Sequence, residues 1–264
     1  MTRFPRTFLF AFLFAAGTAA HAVGLPDTGQ DTCYDDTAAD GVAASDPASI
    51  ARDAGTHPRQ DCRYGRDAAA AAGQLTKTGA GAKGFDYSKI ANNGSVLGAG
   101  IALGTAAGEW ACTKDNTTGL TWEVKTATNT DLRYSGHTYT WYNNLDPSTN
   151  GGDAGTADGG VCAGGTGCDT EKFVTDVNNA ALCTYTDWRM PTQRELITLV
   201  VADGSSPGID PTYFPNTPAS GFWSGSSCVP NPSGAWVVGF YDGNTGTNGK
   251  PGNNYVRLVR GGQF

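Results

Sequence analysis

Seven cysteines follow a stretch that reads as an export signal, and together these features limit what the chain can become. Arg3 and Arg6 precede an apolar run from Phe8 to Ala16, and small residues then lead to Ala20-His21-Ala22. A charged start, a short apolar stretch and an A-x-A-like site predict a signal peptide over residues 1–22. The apolar run is shorter than the roughly 20 residues that span a bilayer. No later segment is apolar enough either, so no integral membrane segment is expected after cleavage. The expected location is the periplasm, the cell surface or the extracellular space, where thiols oxidise to disulfides. No Cys-x-x-Cys occurs, which gives a zinc knuckle or thioredoxin-type site little support. Cys162 and Cys168 are spaced to close a small ring. The further pairs expected are Cys112–Cys183 and Cys33–Cys62, with Cys228 left over. Six cysteines can pair in many ways, so spacing alone does not choose among them.

The 37 glycines point the same way. Glycine weakens helices and strands and favours turns, so short strands and long loops are expected, with disulfides offsetting a limited core. Residues 23–108 hold no Trp and include the run DAAAAAGQLTKTGAGAKG. They read as an extended Ala/Gly-rich N-terminal segment, with a hairpin turning at Asn92-Asn93-Gly94. All six Trp lie beyond it, which places the main core in a domain over residues 109–264.

Within that domain, Gly119–Val124 alternates like a half-buried strand. HTYTWY (137–142) is a second aromatic strand or a helix start, and residues 146–168 form a Gly/Asp/Thr loop. Phe173, Val174, Val177, Ala180 and Ala181 recur at helical spacing, predicting a helix over about 170–182 capped by Asp169 or Thr170. Thr192-Gln193-Arg194-Glu195 fits a capping box that starts a second helix. Trp188 reads as a core anchor and Arg189 as a partner for a carboxylate or loop carbonyls. Phe222–Ser224 is a short strand. AWVVGFY (235–241) and YVRLVR (255–260) read as a closing antiparallel hairpin around a polar loop.

Chemistry is sparse. Beyond the signal only His57 and His137 remain, and no G-x-S-x-G surrounds Ser224. Asp153, Asp158, Asp203, Asp210 and Asp242 sit in loops beside Gly or Pro and read as turn residues, so no metal or cofactor is expected. Removing the signal takes two Arg and no acids, moving the formal charge from −7 to −9. With no Lys/Arg cluster, nucleic acid is not an expected partner. The loop after Tyr241 offers Tyr241, Asp242, Asn244, Asn248, Lys250 and Asn253 as ligand-binding groups.

The motifs DNTTGLTWEVKT, LCTYTDWRMPTQREL, IDPTYFPNT, FWSGSS, AWVVGF and YVRLVRGG occur in this order over residues 110–264. They resemble the C-terminal domain of the Legionella collagen-like adhesin, an exported bacterial domain of unknown function. The resemblance implies a C-type-lectin-like α+β fold, with two helices, a small twisted antiparallel sheet and long loops stapled by disulfides. It also implies a surface or adhesion role. The namesake binds sulfated glycans, whereas this chain is acidic and has no collagen repeats. Arg189-Met190-Pro191-Thr192-Gln193-Arg194-Glu195 also resembles a segment of formylglycine-generating enzymes. Their C-terminal copper-holding cysteine pair is missing here, since only Cys228 follows Cys183. The function expected is therefore a non-enzymatic binding or adhesion module whose partner is a glycan or a surface protein. An exported hydrolase with a carboxylate pair is the alternative.

Overall fold

A computed structural model describes residues 27–30, 32–33, 42–43 and 61–262. The expected signal peptide and His57 lie outside the described residues. The elements run in order: β1 (Thr32–Cys33), β2 (Val42–Ala43), α1 (Asp61–Tyr64), α2 (Arg66–Ala71), β3 (Tyr87–Ala91), β4 (Trp110–Asp115) and β5 (Thr121–Glu123). They continue with α3 (Thr170–Asn179), a 3₁₀ turn (Leu182–Thr184), α4 (Gln193–Ile197), β6 (Gly221–Ser227), β7 (Gly234–Gly239), β8 (Thr245–Gly249) and β9 (Val259–Arg260). The class is α+β. Besides the short β1–β2 ladder there are two antiparallel sheets, ordered β3-β4-β5-β9 and β6-β7-β8, rather than the single sheet expected. Among the described residues no helix is long and apolar enough to cross a membrane.

The N-terminal segment is less separate than its composition suggests. β3 pairs with β4 from Tyr87↔Asp115 to Ala91↔Trp110, so it is part of the main sheet. Phe85 and Tyr87 pack in one core cluster with Trp122, Leu196, Phe222 and Phe240. After β3 the chain turns at Gly94, at φ +83°, and returns through an Ile90↔Val96 bridge. A left-handed φ of that kind is open to glycine without a steric cost.

The C-terminal hairpin is a correction. β7 pairs with β8, which lies inside the expected loop. The YVRLVR segment runs between the two sheets. Tyr255 bridges Phe222 in parallel, Val259 pairs with Trp122, and Arg189 exchanges backbone hydrogen bonds with Val259. A segment covered on all sides has no solvent face, so alternation is not required of it. Val256, Arg257, Leu258 and Val259 are all buried. Arg257 is tolerated because its guanidinium donates to the Glu123 carbonyl at 2.6 Å and to Thr217 Oγ1 at 2.7 Å.

Three disulfides join Cys33–Cys62, Cys112–Cys183 and Cys162–Cys168, and Cys228 is a buried thiol. α3 is shorter than its apolar period. Ala181, Cys183 and Thr184 all take positive φ, which ends the helix and brings Cys183 to Cys112 on β4. Four of the Trp indoles donate to backbone carbonyls: Trp110 to Cys112, Trp141 to Ser224, Trp188 to Leu182 and Trp223 to Tyr139. These bonds orient large apolar side chains while satisfying their one polar atom.

Candidate ligand cleft

Four of the five aspartates expected in turns do turn chemistry, and Asp158 reaches further along the chain. Asp153, Asp203, Asp210 and Asp242 each accept from the amide two residues on, and Asp158 accepts from Cys168 N. Their carboxylates thereby take the place of a backbone acceptor.

The six loop residues expected to bind a ligand do not form one site. Tyr241, Asp242 and Asn244 sit at the β7–β8 turn, and Asn248 and Asn253 lie at the other end of β8. A five-residue strand separates the groups by roughly 13 Å. Lys250 is not a loop residue offered to solvent. It is 1% exposed, with Nζ 4.1 Å from the Trp141 ring centroid. Its ammonium donates to the Asn150 carbonyl at 2.8 Å and to the Asp153 carbonyl. Burial lowers its pKa from the ordinary lysine value.

What Lys250 supports is one wall of a cleft of about 820 Å³. That size is within the usual range for small-molecule sites, ~300–1,000 Å³. Trp141 lines it beneath a loop that continues through Tyr142, Asn143, Leu145, Asp146 and Thr149. α3 fixes this loop at two points. The Thr170 hydroxyl accepts from Tyr142 N and donates to Tyr142 O. Glu171 Oε2 accepts from Asn144 N at 2.6 Å and Leu145 N at 2.8 Å. Leu145 is consequently held outward at 76% exposure.

The opposite wall is the Arg189–Glu195 segment. Thr192 caps α4, with Glu195 N donating to Thr192 Oγ1 and Thr192 N donating to Glu195 Oε2, which completes the capping box. Arg189 grips the same carboxylate with two bonds, at 2.8 and 2.6 Å. Burial would raise the Glu195 carboxyl, but Arg189 and Thr192 hold it below its ordinary value. These residues thus start a helix, as their spacing predicts, and also line the cleft. The end of β6 closes the remaining side. Gly225 N donates to Pro191 O at 2.7 Å, and a Cβ on Gly225 would fall 2.9 Å from Met190 Cβ. Glycine is what lets these two backbones approach.

Sequence reasoning missed Trp141, Asn143, Leu145, Glu171 and Met190 as cleft residues. An exposed leucine in a polar loop was the available signal. Chemically the cleft offers an apolar strip with acidic edges, Asp146 and Glu171, while the Arg189 charge is spent on Glu195. Asp146 is held low by its Ser148 partner.

The role of Lys250 makes a first prediction. Lys250→Met removes two charge-assisted bonds, each contributing about 1.5–3 kcal/mol. Residues 146–155 are expected to exchange amide hydrogens faster, while β3–β4 amides keep their protection. Unchanged exchange in the loop would refute the buttress.

A scan of family models matches residues 111–260 to the Lcl C-terminal domain. No curated protein and no solved structure matches the chain. The matched span is more than half of the 264 residues and contains every wall of the cleft. The chain belongs to the Lcl C-terminal domain family.

Proposed function

We propose that this protein is an exported binding or adhesion module that takes an uncharged surface glycan in the cleft beside Trp141. The observation that carries this reading is the cleft itself. Its walls come from four separate segments, each fixed by hydrogen bonds on a disulfide-stapled frame, which is how a preorganised binding site is built. Tyr142 and Leu145 supply apolar contact, and Asn143 and Ser226 supply polar groups of the kind a sugar ring uses. Acidic edges disfavour a sulfated ligand, and so does the net negative charge. Membership in an adhesin-associated family and the three disulfides fit an exported protein that meets a surface partner. Two helices packed with small sheets and long loops are in keeping with a C-type-lectin-like fold, which we propose for residues 109–264. Binding is favoured over hydrolysis because Glu195, a buried acid on the cleft wall, has both oxygens engaged by Arg189. A glycosidase acid must be free to donate its proton.

An array of neutral, acidic and sulfated glycans, probed with the purified chain, tests this. Leu145→Asp is expected to weaken neutral-glycan binding at least tenfold. A Tyr241→Ala/Asn248→Ala variant is expected to bind like wild type. Loss confined to the second variant would move the site to the β7–β8 loop. Binding to sulfated glycans alone would refute the neutral ligand.

A further inference from the structure

Asp27, Asp61 and Asp67 belong to no turn motif and to no part of the cleft. One carboxylate oxygen from each lies within 4.8 Å of the other two. Asp27 is 7% exposed and Asp67 2%, and Asp61 is half-buried. Asp67 Oδ1 accepts from Gly84 N at 2.8 Å, and Asp61 Oδ2 accepts from the Thr28 hydroxyl. Both oxygens of Asp27, and Oδ2 of Asp67, are buried without a hydrogen-bond partner. No Lys or Arg among the described residues pairs with any of the three.

Buried anionic oxygens without donors are strongly disfavoured unless something positive lies among them. Acids crowded by accident on a surface would turn outward to water. Here the fold presses them together. A Cβ on Gly84 would fall 2.2 Å from Asp27 Oδ2, and one on Gly65 would fall 1.5 Å from Asp61 Oδ1. Two glycines thus leave room for two of the three carboxylates.

The dimensions suit one ion. Oxygens bound to calcium at roughly 2.3–2.6 Å are at most about 5 Å apart across the ion. The donors are all hard oxygens, with no thiolate or imidazole in the group, which selects a calcium-class cation over zinc or copper. We propose that Asp27, Asp61 and Asp67 bind a hard divalent cation of the calcium class, with water completing its shell, and that the ion ties the stretch at Asp27 to α1 and α2.

The place of the cluster explains what such an ion would hold. Asp27 starts a short stretch whose Thr28 carbonyl accepts from Ala202 N at 2.8 Å. The Gly29 carbonyl accepts from Lys83 Nζ at 2.7 Å. Asp61 and Asp67 open α1 and α2, and Cys62 between them is bonded to Cys33. The ion and the disulfide would therefore clamp the same two segments. No local motif marks the site, because Asp27 lies more than thirty residues from Asp61.

Isothermal titration of the full mature chain with Ca²⁺ tests the proposal, with Mg²⁺ titrated in parallel. The expected result is saturable binding of one Ca²⁺ per chain, and a melting temperature that rises with Ca²⁺ over EDTA. Asp27→Asn and Asp67→Asn are each expected to weaken Ca²⁺ binding at least tenfold. Asp153→Asn, a turn residue, is expected to leave it unchanged. Absence of saturable Ca²⁺ binding by wild type would overturn the proposal without reference to any variant. So would Mg²⁺ binding without Ca²⁺ binding, or wild-type affinity in an Asp27→Asn/Asp67→Asn double variant. Failure of Ca²⁺ binding would leave the glycan reading of the cleft intact.

Discussion

Lys125→Met is expected to destabilise the protein by about 3–5 kcal/mol, because it strips the partner from a buried carboxylate. Glu123 is fully buried on β5, and Lys125, two residues on, is 2% exposed. Lys125 Nζ lies 2.8 Å from Glu123 Oε1 and 4.6 Å from the Phe173 ring centroid. Glu123 Oε2 accepts from Leu258 N. The pair therefore sits where β5, α3 and the C-terminal segment meet. Replacing both charges, as Glu123→Gln/Lys125→Met, is expected to recover most of the loss, since the uncompensated anion is gone. Urea unfolding of the two variants decides; equal destabilisation would show that the charge itself is not the cause.

What could be read from the sequence depended on how far apart the partners lie. The capping box at Thr192 and Glu195 needs only four consecutive residues, so its chemistry shows in the pattern. Asp153, Asp203, Asp210 and Asp242 likewise bond two residues ahead. Phe173 and Val177, on the buried face of α3, carry a period that any amphipathic helix must show. Lys250 was misread because its acceptors, Asn150 and Asp153, are about a hundred residues away. In a run of Gly and Asn, a lysine looks solvated until those carbonyls are known. Arg257 deceived for the same reason. Its flanks alternate like an edge strand, yet its guanidinium meets a carbonyl 134 residues earlier in the chain. The cleft was hidden too, since its walls come from four stretches joined only by tertiary bonds.

Removal of Cys112–Cys183 is expected to be the most damaging of the three disulfide deletions. Its partners are 71 residues apart, against 29 for Cys33–Cys62 and 6 for Cys162–Cys168. A crosslink limits the freedom of the unfolded chain by an amount that grows with the loop it closes. That gives about 4 kcal/mol for the first and about 2 for the last. For a chain of this size, 4 kcal/mol corresponds to a fall of roughly 8–16 °C in melting temperature. The native state adds to the difference. Cys112 is in the middle of β4 and fully buried, and Cys183 follows the helix whose first turn holds the cleft loop. Cysteine-to-alanine pairs at each bridge, compared by calorimetry, test the ranking. Should Cys162→Ala/Cys168→Ala prove as costly as Cys112→Ala/Cys183→Ala, loop closure is not the source. The small ring would then act in the folded state, through the Cys168 amide that holds Asp158 beside the start of α3.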